Sequence, residues 1–167
     1  MSVAEQGTPE NEVHVRVDSP IGALVVWGTA DAVTKVALPG SRAARDAPSA
    51  AGRRRGATSD AARQLDEYFA GKRRAFDLPI EVAGTEFQEQ VWLKLAEIPY
   101  GDTISYAELA RWVGRPQAFR AVGQANGANP IPIILPCHRV IAADGSIGGY
   151  GGGLETKRRL LAIEGRG

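Results

Sequence analysis

A thiol, an imidazole and a guanidinium stand side by side at Cys137, His138 and Arg139, directly after Pro136. Cys137 is the one cysteine in 167 residues, and His138 is one of two histidines. The thiolate is the nucleophilic form of cysteine, and nearby cations favour it. Prolines at 130, 132 and 136 exclude helix here and stiffen the backbone. Ile133, Ile134 and Leu135 read as an apolar, strand-like, buried body. A lone cysteine is also at home as a small buried hydrophobe. The fixed backbone and the two adjoining cationic groups favour the nucleophile. Neighbouring side chains of an extended segment point to opposite faces, so thiol and imidazole are expected to communicate through one water. The imidazole then needs an acceptor to orient it. Glu164 is the candidate: it follows Leu160 and Leu161 at the end of an apolar helix, where a carboxylate calls for a partner. A solvated helix-terminal glutamate is the alternative. Asn129 reads either as a turn former before Pro130 or as an amide that braces the thiol segment.

Downstream, Gly148 to Gly153 place five glycines around Tyr150, which permits close backbone approaches. The spacing matches neither a dinucleotide nor a phosphate loop. A planar ligand packed on Tyr150 suits it better, with Tyr106 supplying a hydroxyl or ring edge. One cysteine excludes an intramolecular disulfide, a multi-thiolate zinc site, a Cys-x-x-Cys pair and a cysteine-held iron–sulfur cluster. His14 and His138 share a metal only if distant segments converge, so neither metal nor cofactor is expected. The net charge of +1 excludes a surface that attracts nucleic acid everywhere; any footprint must be local. The start of the chain is acidic and polar, unlike a signal peptide, and no apolar run approaches the roughly 20 residues of a membrane helix. With a free cysteine, this favours the cytoplasm.

Residues 1–12 read as a disordered leader. From Val13, alternating and apolar runs broken by Ser-Pro and Gly signals give hairpin grammar through Leu38. Gly40 to Ser59, with the basic run Arg53–Arg55, reads as a flexible surface loop rather than a DNA-binding arm. Ser59 or Asp60 caps a helix through Ala70 whose apolar face is Leu65, Tyr68 and Phe69, and residues 75–82 read as a further strand. Texture changes at Ala83-Gly84. Thr85 caps a helix carrying Phe87, Val91, Leu95 and Ile98 at helical spacing. Ser105 caps the next, with Glu108 completing a capping box. After Gly114-Arg115-Pro116, a further helix runs from about Gln117 to Asn126. The reading is α+β: a β-rich domain over 13–83 and a mainly helical domain over 84–167.

The two short helices and their Gly-containing turn fit a helix-turn-helix. Over residues 103–139, Arg111, Arg115, Arg120 and Arg139 face one acid, Glu108, an excess of three positive charges. The second helix is rich in Ala and Gly, which suits approach to a minor groove by shape and phosphate contact more than base reading. Two packed short helices are also common in enzymes. Arg120 stands among Ala, Phe and Val; it is either an arginine snorkelling at a helix edge or a cation filling the gap left by an extruded nucleotide.

The stretches FQEQVW, IPYGDTISYAELA, RAVGQANGANPIPIILPCHRVI, GGYGGG and LLAIEG resemble the O6-alkylguanine-DNA alkyltransferases, in order and spacing from about Thr85 to Gly165. SPIGAL at Ser19 to Leu24 resembles their less similar N-terminal domain. The resemblance implies direct reversal of damage in double-stranded DNA: an O6-alkylguanine leaves the duplex on the minor-groove side, and Cys137 takes its alkyl group irreversibly. It implies that His138 is the water-linked base, Glu164 orients it and Asn129 braces the site. Arg120 replaces the flipped base, Tyr106 assists extrusion and protonates the leaving guanine, and Tyr150 with the backbone at Val140 and Gly151 lines the base pocket. A monomer is expected, with assembly on DNA left open. Two departures stand out: Phe119 replaces a commonly small residue, and Gly151 stands where some relatives carry Ser. The rivals are a binding module that recognises alkylated DNA without repairing it, against which Cys137 weighs, and a cysteine hydrolase, for which adjacent Cys and His are poorly placed.

Overall fold

The computed structural model describes residues 12–48, 56–148, 150 and 153–165; most of the expected leader, the Arg53–Arg55 run and Gly151 lie outside them. The chain divides into two compact units, Met1–Ala83 and Gly84–Gly167. Helix and strand are mixed, as expected of an α+β chain.

In the first unit, alternating apolar residues give three antiparallel strands in the order β1 (Val13–Ser19), β2 (Gly22–Gly28) and β3 (Val33–Ala37). Val15 pairs with Val26 and Val17 with Leu24, and all four side chains are buried on one face. A four-residue helix, α1 (Arg42–Arg45), lies in the stretch read as loop, capped by the Ser41 hydroxyl. Helix α2 (Ala57–Phe69) buries Ala61, Ala62, Leu65 and Tyr68. It starts before the expected caps because the Ala57 N–H is taken by the Thr29 carbonyl at 3.3 Å, which leaves Ser59 and Asp60 inside the first turn.

The strand expected over 75–82 is reduced to a single parallel bridge between Ile80 and Val33. Pro79 has no N–H to contribute to a ladder. Its carbonyl accepts from Val33 at 2.9 Å, and the Glu81 N–H returns one bond to Val33. The buried Gln64 amide holds the rest of the segment through paired 2.9 Å bonds to the Asp77 backbone.

The second unit begins with α3 (Glu86–Leu95), closed by the reciprocal Thr85/Gln88 capping box. Val91, Trp92 and Leu95 are buried, and the Trp92 indole N–H donates to the Ala125 carbonyl at 2.7 Å. Helix α4 (Tyr106–Trp112) is capped by the Ser105 hydroxyl, which accepts from the Glu108 N–H at 3.0 Å, the Ser105 half of the expected box. Helix α5 (Phe119–Gly127) starts two residues later than expected, behind a turn in which Ala118 donates to Arg115. Both α3 and α4 pack on α5.

The short strand β4 (Ile104–Ser105) pairs in parallel with β5 (Val140–Ile141), which ties the start of α4 to the end of the thiol segment. Helix α6 (Leu154–Ile163) closes the unit. Among the described residues, no helix is long and apolar enough to cross a membrane.

Candidate active site

The thiol segment is not a strand. Residues 131–135 form a tight buried turn closed by a bridge between Pro132 and Leu135, with Ile133 at φ 74°. A β-branched residue rarely adopts that conformation, so the flanking prolines and the surrounding packing must hold it. Cys137, His138 and Arg139 then form one 3₁₀ turn. Three consecutive residues of such a turn project in three directions, about 120° apart. The thiol is thereby turned away from the imidazole and the guanidinium, whose side chains converge on one carboxylate.

His138 and Arg139 both turn toward Glu164. The imidazole Nε2 meets Glu164 Oε2 at 2.7 Å, and the guanidinium donates to both carboxylate oxygens, at 2.7 and 3.1 Å. A second Arg139 nitrogen donates to the Ile98 carbonyl at 2.6 Å. All three side chains are buried. Glu164 is therefore the partnered carboxylate, at the C-cap of α6, and not the solvated alternative. An arginine-paired carboxylate is an acceptor, so Nε2 carries the proton it donates and Nδ1 keeps a lone pair. Nδ1 is buried and has no partner among the described residues. Burial lowers the His138 pKa more strongly than Glu164 raises it, so the resting imidazole is neutral.

Cys137 is buried, and its thiol meets the Tyr150 hydroxyl at 4.0 Å. Burial raises the thiol pKa; the side chains of Asn129 and Tyr150, and the charge of Lys157, act in the opposite direction. Arg139 is not the cation that the thiol feels, since the Glu164 carboxylate claims it. That place belongs to Lys157. Asn129 braces the turn, its amide donating to the Leu135 carbonyl at 2.8 Å and accepting from Ile131 at 3.0 Å. Asn126 adds a bond to the Cys137 carbonyl at 3.3 Å.

Tyr106, at the start of α4, sits between Gly123 of α5 and Gly148. A Cβ on Gly148 would stand 3.1 Å from the Tyr106 hydroxyl, and Gly148 has φ 74°, so glycine is required there by both space and backbone. Burial, and then the charge of Cys137, raise the Tyr106 pKa, which couples the phenol to the thiol. Val140 is wholly buried, and its carbonyl accepts from Lys157 at 2.7 Å. Arg120 is exposed on α5. It is not brought into the thiol cluster. Phe119 beside it is 49% exposed on the outer surface of α5. With Arg139 turned inward, the exposed cations of the helix-turn-helix are Arg111, Arg115 and Arg120.

Lys157 and Asn126 escaped the sequence reading. Lys157 lies in the run Lys-Arg-Arg, which looks solvated. The signal was its spacing: 157, 160, 161 and 164 follow the i, i+3, i+4, i+7 stripe of a helix face, and all four are buried.

Fold and site together define a cysteine-nucleophile protein, its thiol lodged beneath a helix-turn-helix and backed by a buried His–Glu–Arg cluster. Comparison with known proteins agrees. Residues 14–82 match the ribonuclease-like domain of 6-O-methylguanine DNA methyltransferase, and residues 86–166 match its DNA binding domain. The chain belongs to this family. It is 48% identical over 155 residues to the methylated-DNA–protein-cysteine methyltransferase of Mycobacterium leprae, covering 91% of this chain and 92% of the relative. The protein of that name from Methanosarcina barkeri is 43% identical over 148 residues, covering 89% and 94%. Among solved structures, Mycobacterium tuberculosis OGT in complex with DNA superposes with a TM-score of 0.81 at 46% identity, covering 90% of this chain and 91% of that one.

Two outcomes follow for the cluster. Glu164→Gln strands the Arg139 charge in the interior, and loss of one partner of a buried pair costs about 3–5 kcal/mol; urea denaturation of the full chain measures it. The His138 pKa is lower folded than unfolded, so the stability held by the neutral imidazole is complete above 6.5 and is lost as pH falls below that toward the folded value. Urea midpoints of the wild type should therefore drop more steeply through this range than those of His138→Gln, and parallel slopes would refute the assignment.

Proposed function

We propose that this chain repairs double-stranded DNA by moving the alkyl group of an O6-alkylguanine onto Cys137, once and irreversibly. The observation that carries this reading is the buried Glu164–His138 pair behind the chain's single thiol. It supplies an acceptor nitrogen with a fixed tautomer and an environment that keeps the imidazole neutral until it takes a proton.

The proposed step balances as follows. The Cys137 proton passes through one water to His138 Nδ1, and the thiolate attacks the alkyl carbon. The S–C bond forms as the C–O6 bond breaks, and the electron pair goes to guanine. Tyr106 supplies guanine with a proton, and the imidazolium restores it to the phenol through solvent. A raised pKa suits Tyr106, since a buried phenolate does not persist. The product is a thioether, which no second cysteine is present to cleave.

Asn129 holds the thiol turn, and Tyr150 with the backbone at Val140 forms the walls against which the base rests. The DNA contact assigned to α5 is by shape and phosphate in the minor groove, with Arg120 entering the stack in place of the extruded nucleotide. Its exposure, with no charged partner among the described residues, supports that role. No cofactor enters the scheme. We assign the chain to the cytoplasm, acting as a monomer.

After exposure to duplex DNA containing O6-methylguanine, intact-mass and peptide mass spectrometry should find one methyl group per chain, on Cys137. Multiple turnover, or an adduct elsewhere, would sink the mechanism. Arg120→Ala should slow repair of duplex DNA by about one to two orders of magnitude, the loss expected from a few kcal/mol of unstacking support. Reaction with the free alkylguanine base should stay near wild type, and equal losses in both assays contradict a base-replacing arginine.

A further inference from the structure

Lys157 is the one lysine of α6, and its side chain is fully buried. An ammonium is among the most costly groups to remove from water, so it persists in an interior only where its donors are satisfied. Here it donates to the Val140 carbonyl at 2.7 Å and to the Ile147 carbonyl at 2.5 Å. These carbonyls lie at the two ends of one loop, which runs from β5 out to an exposed tip at Ala143–Ser146 and back. The same ammonium stands 6.0 Å from the centre of the Tyr150 ring, within the reach of a cation–π attraction.

We propose that Lys157 is a positioning residue for the acceptor thiol, its buried ammonium pinning together the two ends of the Val140–Ile147 loop and holding a positive charge against the ring of Tyr150, whose hydroxyl meets Cys137 Sγ. The inference rests on the reading of Cys137 as the alkyl acceptor, and assigns the thiol's cation to α6. Arg139, two residues after Cys137, spends its charge on Glu164.

The titratable groups that face this ammonium are Cys137 and His138 from the 3₁₀ turn and Tyr150 from the loop, with Tyr106 of α4 joined through Cys137. Attraction is mutual: Lys157 lowers the thiol pKa, and Cys137 raises that of Lys157. Burial nonetheless brings Lys157 down to about 8. The charge is therefore present at neutral pH and is lost as pH rises past that value. Loss of it both releases the loop ends and withdraws support from the thiolate.

The probe is iodoacetamide, a small alkylating agent that reads thiolate formation at Cys137 without DNA. Rates on the full chain are taken against pH for the wild type, Lys157→Met and Lys157→Arg, with circular dichroism to verify folding. Lys157→Met should carry the profile to higher pH by about one unit and slow the reaction about tenfold near neutrality. Lys157→Arg, which keeps the charge, should return it toward wild type. A Met variant with the wild-type profile, or an Arg variant displaced as far as Met, overturns the proposal. Should the Met variant fail to fold, the wild type alone decides: its rate should flatten above about pH 8, where the ammonium deprotonates, and a rate that climbs on as for a free thiol overturns it. If methylated DNA leaves Cys137 unmodified while these profiles separate, the alkyl-transfer reading fails and the hold of Lys157 on the thiol stands.

Discussion

The Glu164 carboxylate is shut away from bulk solvent, so protein groups must answer its charge, and they determine what surrounds it. Arg139 grips both oxygens and His138 approaches one of them at 2.7 Å. Such a cluster gains little net stability, because desolvation of the ions offsets most of their attraction. Its effect is on geometry. Arg139 and His138 face the C-terminus of α6 only if residues 137–139 turn tightly, and that turn is what aims Cys137 elsewhere. The Tyr100 hydroxyl, bonded to the Ile163 carbonyl at 3.1 Å, and the Arg139 bond to Ile98 fasten the same corner to the segment after α3. The carboxylate thus fixes the imidazole tautomer and the direction of the thiol together.

Much of this was legible in the chain because it depends on local chemistry. The Thr85 and Ser105 caps and the hairpin from Val13 need only neighbours in sequence. The Cys-His-Arg run and the later glutamate were legible as types and order. Their assembly was less so. An extended reading of 131–139 follows fairly from three prolines and an apolar triplet, yet the folded segment is a tight turn followed by a 3₁₀ turn, a choice made by packing and by the Asn129 bonds. Arg139 read as a cation for the thiol, because sequence adjacency cannot say which of two acidic species claims a guanidinium.

Lys157 is a harder case. Its neighbour Arg158 is exposed, and only its place in the stripe with Leu160, Leu161 and Glu164 marks it as interior. Charged residues are read as exposed because burial is so costly, and that prior fails where a helix must supply charge to a site. The stripe on α6 carries one cation and one anion, with Leu160 and Leu161 between them in sequence.

A thiol held in this way is quiet at rest. Burial keeps Cys137 protonated, and protonated sulfur is slow toward oxidants and stray alkylating agents, which take the thiolate. A chain with one cysteine has no spare, so indiscriminate reactivity would consume it without benefit. The groups that favour the thiolate, Asn129, Tyr150 and Lys157, are set on three different segments. A base seated against Tyr150 and the Val140 backbone would exclude water from the same space, and each of these interactions strengthens as the local dielectric falls. The resting acidity and the reacting acidity of Cys137 then differ by what occupies the pocket, which ties the reactivity of the sulfur to the arrival of its substrate.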